Sequence, residues 1–304
     1  MRWLGMAHSL VFSDISKSFP GVKALDGVSF RADGGKVLAL LGENGAGKST
    51  LLKIMAGDLR ADAGTITLDG AVCDYSTPHA AIRAGMSVIY QERQVIPAMS
   101  VMENIFAGGL PKGRLGLIDY ARLRREAQEA IDQFELPIDA RTPVGRLPVA
   151  YQQMVEIVKA YRRDTPVIAF DEPTASLADA EISILFRLIG QMKEQGKVIL
   201  YVSHRLAEIF QIADDVVVLK DGRKTGCFPI GQVDEPDLIR AMVGRDIGDT
   251  YAGLQRSEDY GETLLEVEGL VTDKVHDVSF TLRKGEVIGF AGLVGAGRTE
   301  LVRA

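Results

Sequence analysis

A glycine-rich loop between two apolar segments constrains the fold of this chain more than any other feature. Residues 42–50 read GENGAGKST and match the pattern G-x-x-x-x-G-K-[ST] at every fixed position. The apolar run at 37–41 predicts a buried strand, and residues 51–55 predict a helix. A strand, a glycine-rich loop and a helix in this order let backbone N–H groups surround phosphate oxygens at a helix N-terminus. The sequence therefore predicts a phosphate-binding loop.

Two side chains of this loop have separate predicted roles. We expect Lys48 to reach the β- and γ-phosphates of a nucleotide and the Ser49 hydroxyl to bind Mg²⁺. The alternative is a glycine-rich turn that only opens a helix. The predicted nucleotide-binding residues of the loop are Gly42, Glu43, Asn44, Gly45, Ala46, Gly47, Lys48, Ser49 and Thr50.

Composition limits the class of partner. The chain has 304 residues, which allows about two domains. Its formal net charge of −6 argues against a nucleic-acid partner, because such proteins carry a basic surface. Cys73 and Cys227 lie far apart and predict a reducing compartment rather than a disulfide. We find neither an apolar run of membrane-spanning length nor a signal peptide. We therefore expect a soluble cytosolic protein whose membrane role comes through a partner.

An internal repeat indicates a duplicated domain. Residues 26–54 resemble residues 276–304 at a constant offset of 250. The expected organisation is a first nucleotide-binding domain at 1–243, a linker at 244–263 and the start of a second nucleotide-binding domain at 264–304. We expect the chain to be incomplete at its C-terminal end.

The second copy of the loop differs from the first at its charged position. Arg298 stands where the first loop has Lys48, and Thr299 stands where it has Ser49. Arginine keeps the charge, but its guanidinium is a bulky planar fork and does not replace a phosphate-binding lysine conservatively. We therefore expect the second loop to be degenerate.

An acidic pair follows an apolar run at 167–170. Two carboxylates at the end of a buried strand are costly unless they bind something. Asp171 is placed to hold Mg²⁺, and Glu172 is placed to polarise an attacking water. The alternative is the N-terminus of a helix.

Two further polar residues follow predicted strands. His204 comes after the apolar run at 198–202, and Gln91 comes after the run at 87–90. A histidine at a strand end can contact a γ-phosphate, but a surface histidine is the simpler interpretation when it is considered alone. The order and spacing of all the motifs favour the functional interpretation.

The order of these motifs is similar to that of ABC-transporter ATPases. The matching segments are a Walker A loop at 42–50, a glutamine loop at 91, a Walker B strand at 167–172, Ser-Leu-Ala-Asp at 176–179 and a switch histidine at 204. The resemblance covers essentially the whole chain. It implies that ATP and Mg²⁺ are the ligands.

The resemblance also assigns roles to individual residues. The implied catalytic residues are Glu172, His204 and Gln91, and the implied metal-binding residues are Ser49, Gln91 and Asp171. Phe19 resembles the aromatic residue that stacks on adenine, with Val28 as a weaker candidate. The alternative for Phe19 is an ordinary core residue.

The signature segment departs from the common family pattern. Most of these ATPases carry Leu-Ser-Gly-Gly-Gln, whereas residues 147–151 read LPVAY. Residues 152–160 resemble the ATPases that drive import of simple sugars of the ribose, galactose and xylose types. In that group a serine stands at the position of Pro148. Proline has neither an N–H nor a hydroxyl, so we expect the usual contact to a γ-phosphate to be lost.

The resemblance implies an α/β P-loop NTPase fold of the ABC ATPase type. We expect a mainly parallel sheet, an antiparallel β-subdomain that includes the N-terminal strands, and a helical subdomain at 95–160. Residues 119–134 predict a charged amphipathic helix, and residues 151–161 predict a second helix.

The implied function is ATP hydrolysis that drives uptake of a monosaccharide or polyol. The implied partners are transmembrane permease subunits, a periplasmic or extracellular sugar-binding protein that acts indirectly, and the second ABC domain of the same full-length chain. Nucleic acid is not an implied partner. The implied location is peripheral, at the cytoplasmic face of the cell membrane. The alternatives are an ATPase of a nucleoside-type importer and an ABC ATPase without a transport role.

Overall fold

The computed structural model describes residues 8–113, 116–175, 177–243, 260–292 and 296–304. The chain divides into two compact units, residues 1–246 and 247–304. The expected linker at 244–263 lies largely outside the described residues, so its bounds stay a prediction. No helix among the described residues is long and apolar enough to cross a membrane.

The first unit contains ten strands and eight α-helices in its described residues. The strands are β1 (Ser9–Phe19), β2 (Val22–Asp33), β3 (Lys36–Leu41), β4 (Ala63–Leu68), β5 (Ala71–Val72), β6 (Met86–Ile89), β7 (Val167–Asp171), β8 (Val198–Val202), β9 (Asp215–Lys220) and β10 (Arg223–Pro229). The helices are α1 (Lys48–Met55), α2 (Pro78–Arg83), α3 (Val101–Ile105), α4 (Tyr120–Gln133), α5 (Val149–Arg162), α6 (Asp179–Glu194), α7 (Leu206–Ile212) and α8 (Glu235–Val243).

The central sheet has the order β10-β9-β3-β8-β7-β6. All neighbouring pairs from β9 to β6 are parallel, and only β10 pairs in the antiparallel direction. Every residue of β7 and of β8 is buried. Continuous apolar strands of this kind are typical of a parallel sheet that is covered on both faces. The predicted mainly parallel sheet is confirmed.

A second, antiparallel sheet has the order β2-β1-β4-β5. Its inner face includes Phe12 and Phe30, whose rings stack with centroids 4.5 Å apart. These rings belong to a core that also contains Leu51 and Leu52 of α1. The predicted antiparallel β-subdomain is confirmed, and its core reaches the helix that follows the glycine-rich loop.

Helices α3, α4 and α5 lie in the predicted helical segment. Helix α4 buries Leu123, Ala127 and Ile131, which repeat every four residues along one face. Asp119 caps this helix because its carboxylate accepts a hydrogen bond from the Arg122 N–H at 3.0 Å. The two predicted helices therefore exist close to their expected bounds.

The second unit contains an antiparallel pair, β11 (Thr263–Leu270) and β12 (Val278–Arg283), and a short helix, α9 (Arg298–Arg303). The apolar residues 287–290 form no strand in the described structure. The Val287 side chain is 94% exposed. By contrast, β3, which in the first copy corresponds to residues 287–290, pairs with β8 and with β9. The two segments therefore differ in whether a neighbouring strand pairs with them.

This difference predicts unequal hydrogen exchange. Residues 287–290 correspond to residues 37–40 of the first copy. Unpaired amides exchange through small local openings, so we expect residues 287–290 to exchange about tenfold faster or more. Hydrogen–deuterium exchange with mass spectrometry compares both peptides in one sample. Equal protection of the two peptides would show that residues 287–290 are paired.

Candidate active site

Two glycines of the loop at 42–50 allow close backbone packing that a side chain would prevent. A Cβ atom on Gly42 would lie 2.4 Å from the Leu219 carbonyl oxygen, and one on Gly47 would lie 2.6 Å from the Ala24 carbonyl oxygen. Gly47 also caps α1 with φ of 102°, a conformation that favours glycine. Neighbouring strands therefore fix the shape of the loop.

The Lys48 ammonium lies inside this loop. Its Nζ donates hydrogen bonds to the carbonyl oxygens of Gly42 at 2.7 Å and Glu43 at 3.0 Å. Burial lowers the pKa of Lys48 from its ordinary value, and the charges of Glu172 and Asp171 oppose that change. The ammonium is thus held among acceptors at the first turn of α1, where an anionic group would be favoured.

The loop opens into a cleft of about 190 Å³. Residues from three separate parts of the chain line it: Asn44, Gly45, Gly47, Lys48, Ser49, Thr50, Gln91, Asp171 and Glu172. The structure therefore brings the predicted loop, the predicted acidic pair and the predicted glutamine to one place.

Asp171 is the last residue of β7 and is buried. Burial raises the pKa of its carboxyl, and the negative charge of Glu172 raises that pKa further. The Lys48 charge and a hydrogen bond with Ser49 act in the opposite direction. A carboxylate whose charged form is disfavoured by burial gains from a bound cation.

The donor set near Asp171 fits Mg²⁺. This ion prefers oxygen ligands and keeps few protein ligands when phosphates and water complete its shell. Ser49, Gln91 and Asp171 supply a hydroxyl, an amide oxygen and a carboxylate to the same cleft. Among the described residues no group of three or more His, Cys, Asp or Glu side chains forms a metal cluster. A P-loop ion does not need such a cluster.

Glu172 follows Asp171 with an unusual backbone conformation. Its φ is 47°, in the left-handed region that costs most residues energy. Its N–H donates to the Val202 carbonyl oxygen at 2.9 Å. Its Oε1 lies 3.2 Å from Nδ1 of His204. The structure therefore joins two residues that the sequence placed 32 positions apart.

The aromatic candidate for adenine is a surface residue. Phe19 ends β1, is 41% exposed, and is not among the residues that line the cleft. The Lys17 ammonium lies 5.8 Å from its ring centroid. Val28, the weaker candidate, is fully buried. The exposure of Phe19 excludes its interpretation as a core residue, and its adenine role stays a prediction.

The signature segment begins a helix, as expected. Pro148 is the N-cap residue of α5 and provides no side-chain hydrogen bond to that helix. The Gln152 side chain instead donates to the Leu147 carbonyl oxygen at 2.9 Å. Ser176 of the predicted Ser-Leu-Ala-Asp loop lies outside the described residues.

Sequence reasoning missed two residues that hold the glutamine loop. Tyr90 is the residue before Gln91, and its hydroxyl donates a hydrogen bond to the Asp58 carboxylate. On α5, the buried Glu156 accepts a hydrogen bond from the Gln94 N–H. The sequence did contain a signal for Glu156, because it is a charged residue among the apolar residues of one helix face. The Asp58–Tyr90 pair gave no local signal.

The motifs and their geometry agree with one family. Residues 25–175 match the family model described as ABC transporter. The Arabinose import ATP-binding protein AraG of Mannheimia succiniciproducens is 46% identical over 296 residues, with 97% of this chain and 58% of that relative covered. The chain belongs to the ABC transporter family.

Other sugar-import relatives from this family match at the same level. A Burkholderia cenocepacia protein, provisionally named a ribose/galactose/methyl galactoside import ATP-binding protein, is 46% identical over 297 residues. That match covers 97% of this chain and 58% of the relative. The chain thus spans somewhat more than half the length of the curated relatives that it matches.

Solved ABC transporter structures agree with the fold. A nucleotide-free ATP-binding cassette from an ABC transporter matches with a TM-score of 0.65 and 25% identity, covering 79% of this chain and 96% of that one. The ADP conformation of the cassette MJ1267 also gives a TM-score of 0.65, at 24% identity, with 82% of this chain and 100% of that one covered. The predicted α/β P-loop fold of the ABC ATPase type is confirmed.

The left-handed backbone at Glu172 predicts that glycine stabilises the fold more than alanine at this position, which is the reverse of their order inside a helix. Glycine adopts this conformation without the steric cost that alanine bears, so we expect Glu172→Gly to be more stable than Glu172→Ala by about 1 kcal/mol. At Glu129, inside α4, the order should reverse by about the same amount. Urea unfolding of the four variants measures both differences. A more stable Glu172→Ala variant would contradict the left-handed assignment.

Proposed function

We propose that this chain binds MgATP in the cleft and hydrolyses it to drive sugar import as part of an ABC transporter. The observation that supports this most is the meeting of Lys48, Asp171 and Glu172 in one cleft beside Gln91. A cation, a metal-binding carboxylate and a base near a glycine-rich loop are the groups that phosphoryl transfer requires.

Nucleotide binding rearranges the hydrogen bonds of Lys48. Its ammonium leaves the carbonyl oxygens of Gly42 and Glu43 and contacts phosphate oxygens instead. The loop N–H groups and the N-terminus of α1 add partial positive charge at the same place. Ser49, Asp171 and Gln91 hold Mg²⁺, which neutralises phosphate charge when bound.

Hydrolysis depends on Glu172 and His204. The Glu172 carboxylate accepts a proton from the attacking water, so it acts as a general base. His204 is close enough to orient this carboxylate, because its Nδ1 lies 3.2 Å from Glu172 Oε1. His204 would also contact the γ-phosphate, and Gln91 would help to hold Mg²⁺, because it lines the same cleft as Ser49 and Asp171.

The names of the relatives support a monosaccharide as cargo. They are described as import proteins for arabinose or for ribose and galactose. We therefore assign this chain transmembrane permease subunits as partners, and a sugar-binding protein outside the membrane as an indirect one. The chain then lies at the cytoplasmic face of the membrane as a peripheral protein.

Phe19 provides the adenine contact.

We infer that residues 264–304 begin a second ABC domain after a linker at 244–263. Gly297 supports this proposal, because it caps α9 with φ of 81°, as Gly47 caps α1 with φ of 102°. The second ABC domain of the full-length protein supplies the facing half of each nucleotide site. The Arg298 loop would then serve the weaker of the two sites.

Loss of the loop lysine should weaken nucleotide binding. Lys48→Met removes a charge-assisted contact that contributes about 1.5–3 kcal/mol, so we expect MgATP affinity to fall by about tenfold or more. Lys36→Met is the matched control, because this exposed lysine pairs with Asp215 away from the cleft. Isothermal titration calorimetry compares the two variants. Unchanged affinity in Lys48→Met would refute the nucleotide site.

Loss of the base should stop turnover without loss of binding. Glu172→Gln cannot accept the water proton, so we expect kcat to fall by about a hundredfold or more. Glu129→Gln on the exposed face of α4 is the control. The assay uses the full-length protein assembled with its permease and measures phosphate release together with sugar uptake. Equal rates for Glu172→Gln and the parent would remove Glu172 from the base role.

A further inference from the structure

Glu208 of α7 collects an unusual number of hydrogen bonds for one buried side chain. It is 6% exposed. Its Oε2 accepts hydrogen bonds from the hydroxyls of Thr174 at 3.0 Å, Tyr201 at 2.9 Å and Ser203 at 2.9 Å. Its Oε1 accepts a longer hydrogen bond from Arg205 Nη1 at 3.3 Å. None of the sequence motifs includes this residue.

Tyr201 lies in β8, and the other three donors belong to the two loops that carry the proposed reacting residues. Thr174 lies two positions after Glu172. Ser203 and Arg205 are the two neighbours of His204, and the Arg205 N–H donates to the Ser203 hydroxyl at 3.0 Å. The same carboxylate therefore fastens the loop after β7 and the loop after β8.

An ionised carboxylate suits this position for a chemical reason. It accepts hydrogen bonds at both oxygens, with the three hydroxyls on the Oε2 side and the guanidinium on the Oε1 side. Hydrogen bonds to a charged acceptor are stronger than those between neutral groups. A buried charge also carries a large desolvation cost unless such partners are present. The cluster therefore favours one arrangement of both loops.

We propose that Glu208 is a positioning residue that holds His204 against Glu172 during hydrolysis. The proposal rests on the hydrolytic role assigned above to these two residues. Glu208 does not line the cleft, so it acts through the loops and not through contact with nucleotide. A carboxylate that only stabilised the fold would change stability without acting through His204.

The first test compares matched substitutions in the full-length protein assembled with its permease. Glu208→Gln keeps the size of the side chain and removes the charge, and Thr174→Val removes one donor. Thr165→Val is the control, because its hydroxyl is equally buried and donates to the Val167 carbonyl oxygen at 3.1 Å. We expect Glu208→Gln to lower kcat about tenfold or more through misplacement, with a smaller fall for Thr174→Val. Thr165→Val should keep the parent rate.

A comparison of MgATP affinity with kcat distinguishes a positioning role of Glu208 from general damage to the fold. We expect the MgATP dissociation constant of Glu208→Gln to stay within about threefold of the parent, because no binding group is removed. A fall in affinity that matches the fall in kcat would overturn the positioning role.

A double-mutant cycle tests whether Glu208 acts through His204. In a His204→Ala background, Glu208→Gln should lower kcat by less than about twofold, since coupled residues are not additive. An equal factor in both backgrounds would overturn the proposal. Thr165→Val should give the same factor in both backgrounds.

A final measurement does not require turnover. The sequence has four histidines, and the ring-proton NMR signal of His204 is the one lost in His204→Ala. Glu208→Gln should shift this signal, whereas Thr165→Val should leave it in place. An unmoved signal in Glu208→Gln would overturn the proposal. A full-length parent protein with no ATP hydrolysis would count against the proposed function, and the NMR result would still decide the role of Glu208.

Discussion

Parallel pairing of β3, β8 and β7 aligns the ends of three strands that lie far apart in the sequence. Leu40 pairs with Val202, and Val202 pairs with Asp171. Because parallel strands end at the same edge of a sheet, the loops that follow them meet there. This register places the glycine-rich loop, the acidic pair and the His204 loop side by side. A shift of one residue in β7 would turn Asp171 to the opposite face of the sheet.

The resulting cleft holds one cation and one carboxylate whose charged forms are both disfavoured by burial. Burial disfavours the charged forms of both Lys48 and Asp171. Each charge therefore gains from a partner of opposite sign, and a nucleotide with its metal ion supplies both. Anionic phosphate compensates the ammonium, and the cation compensates the carboxylate. Phosphate and metal are expected to bind together more strongly than either binds alone.

The sequence predicted what depends on neighbours along the chain. The loop at 42–50 and the acidic pair were predictable because backbone geometry and strand ends impose local residue patterns. The helices at 120–133 and 149–162 were predictable from apolar spacing. The apolar residues 287–290 form no strand, because pairing depends on a partner that apolar character alone does not provide. Contacts between distant segments, such as Tyr90 with Asp58 and Glu208 with Thr174, left no periodic signal.

The left-handed backbone of Glu172 has a consequence for the history of such chains. A glutamate at this position adopts a backbone conformation that favours glycine or asparagine. Selection for chemistry opposes selection for folding at a single codon. In a gene copy that no longer hydrolyses ATP, selection for folding alone would therefore favour glycine or asparagine there. The identity of this position in a duplicated copy would record whether that copy had ever ceased to turn over ATP.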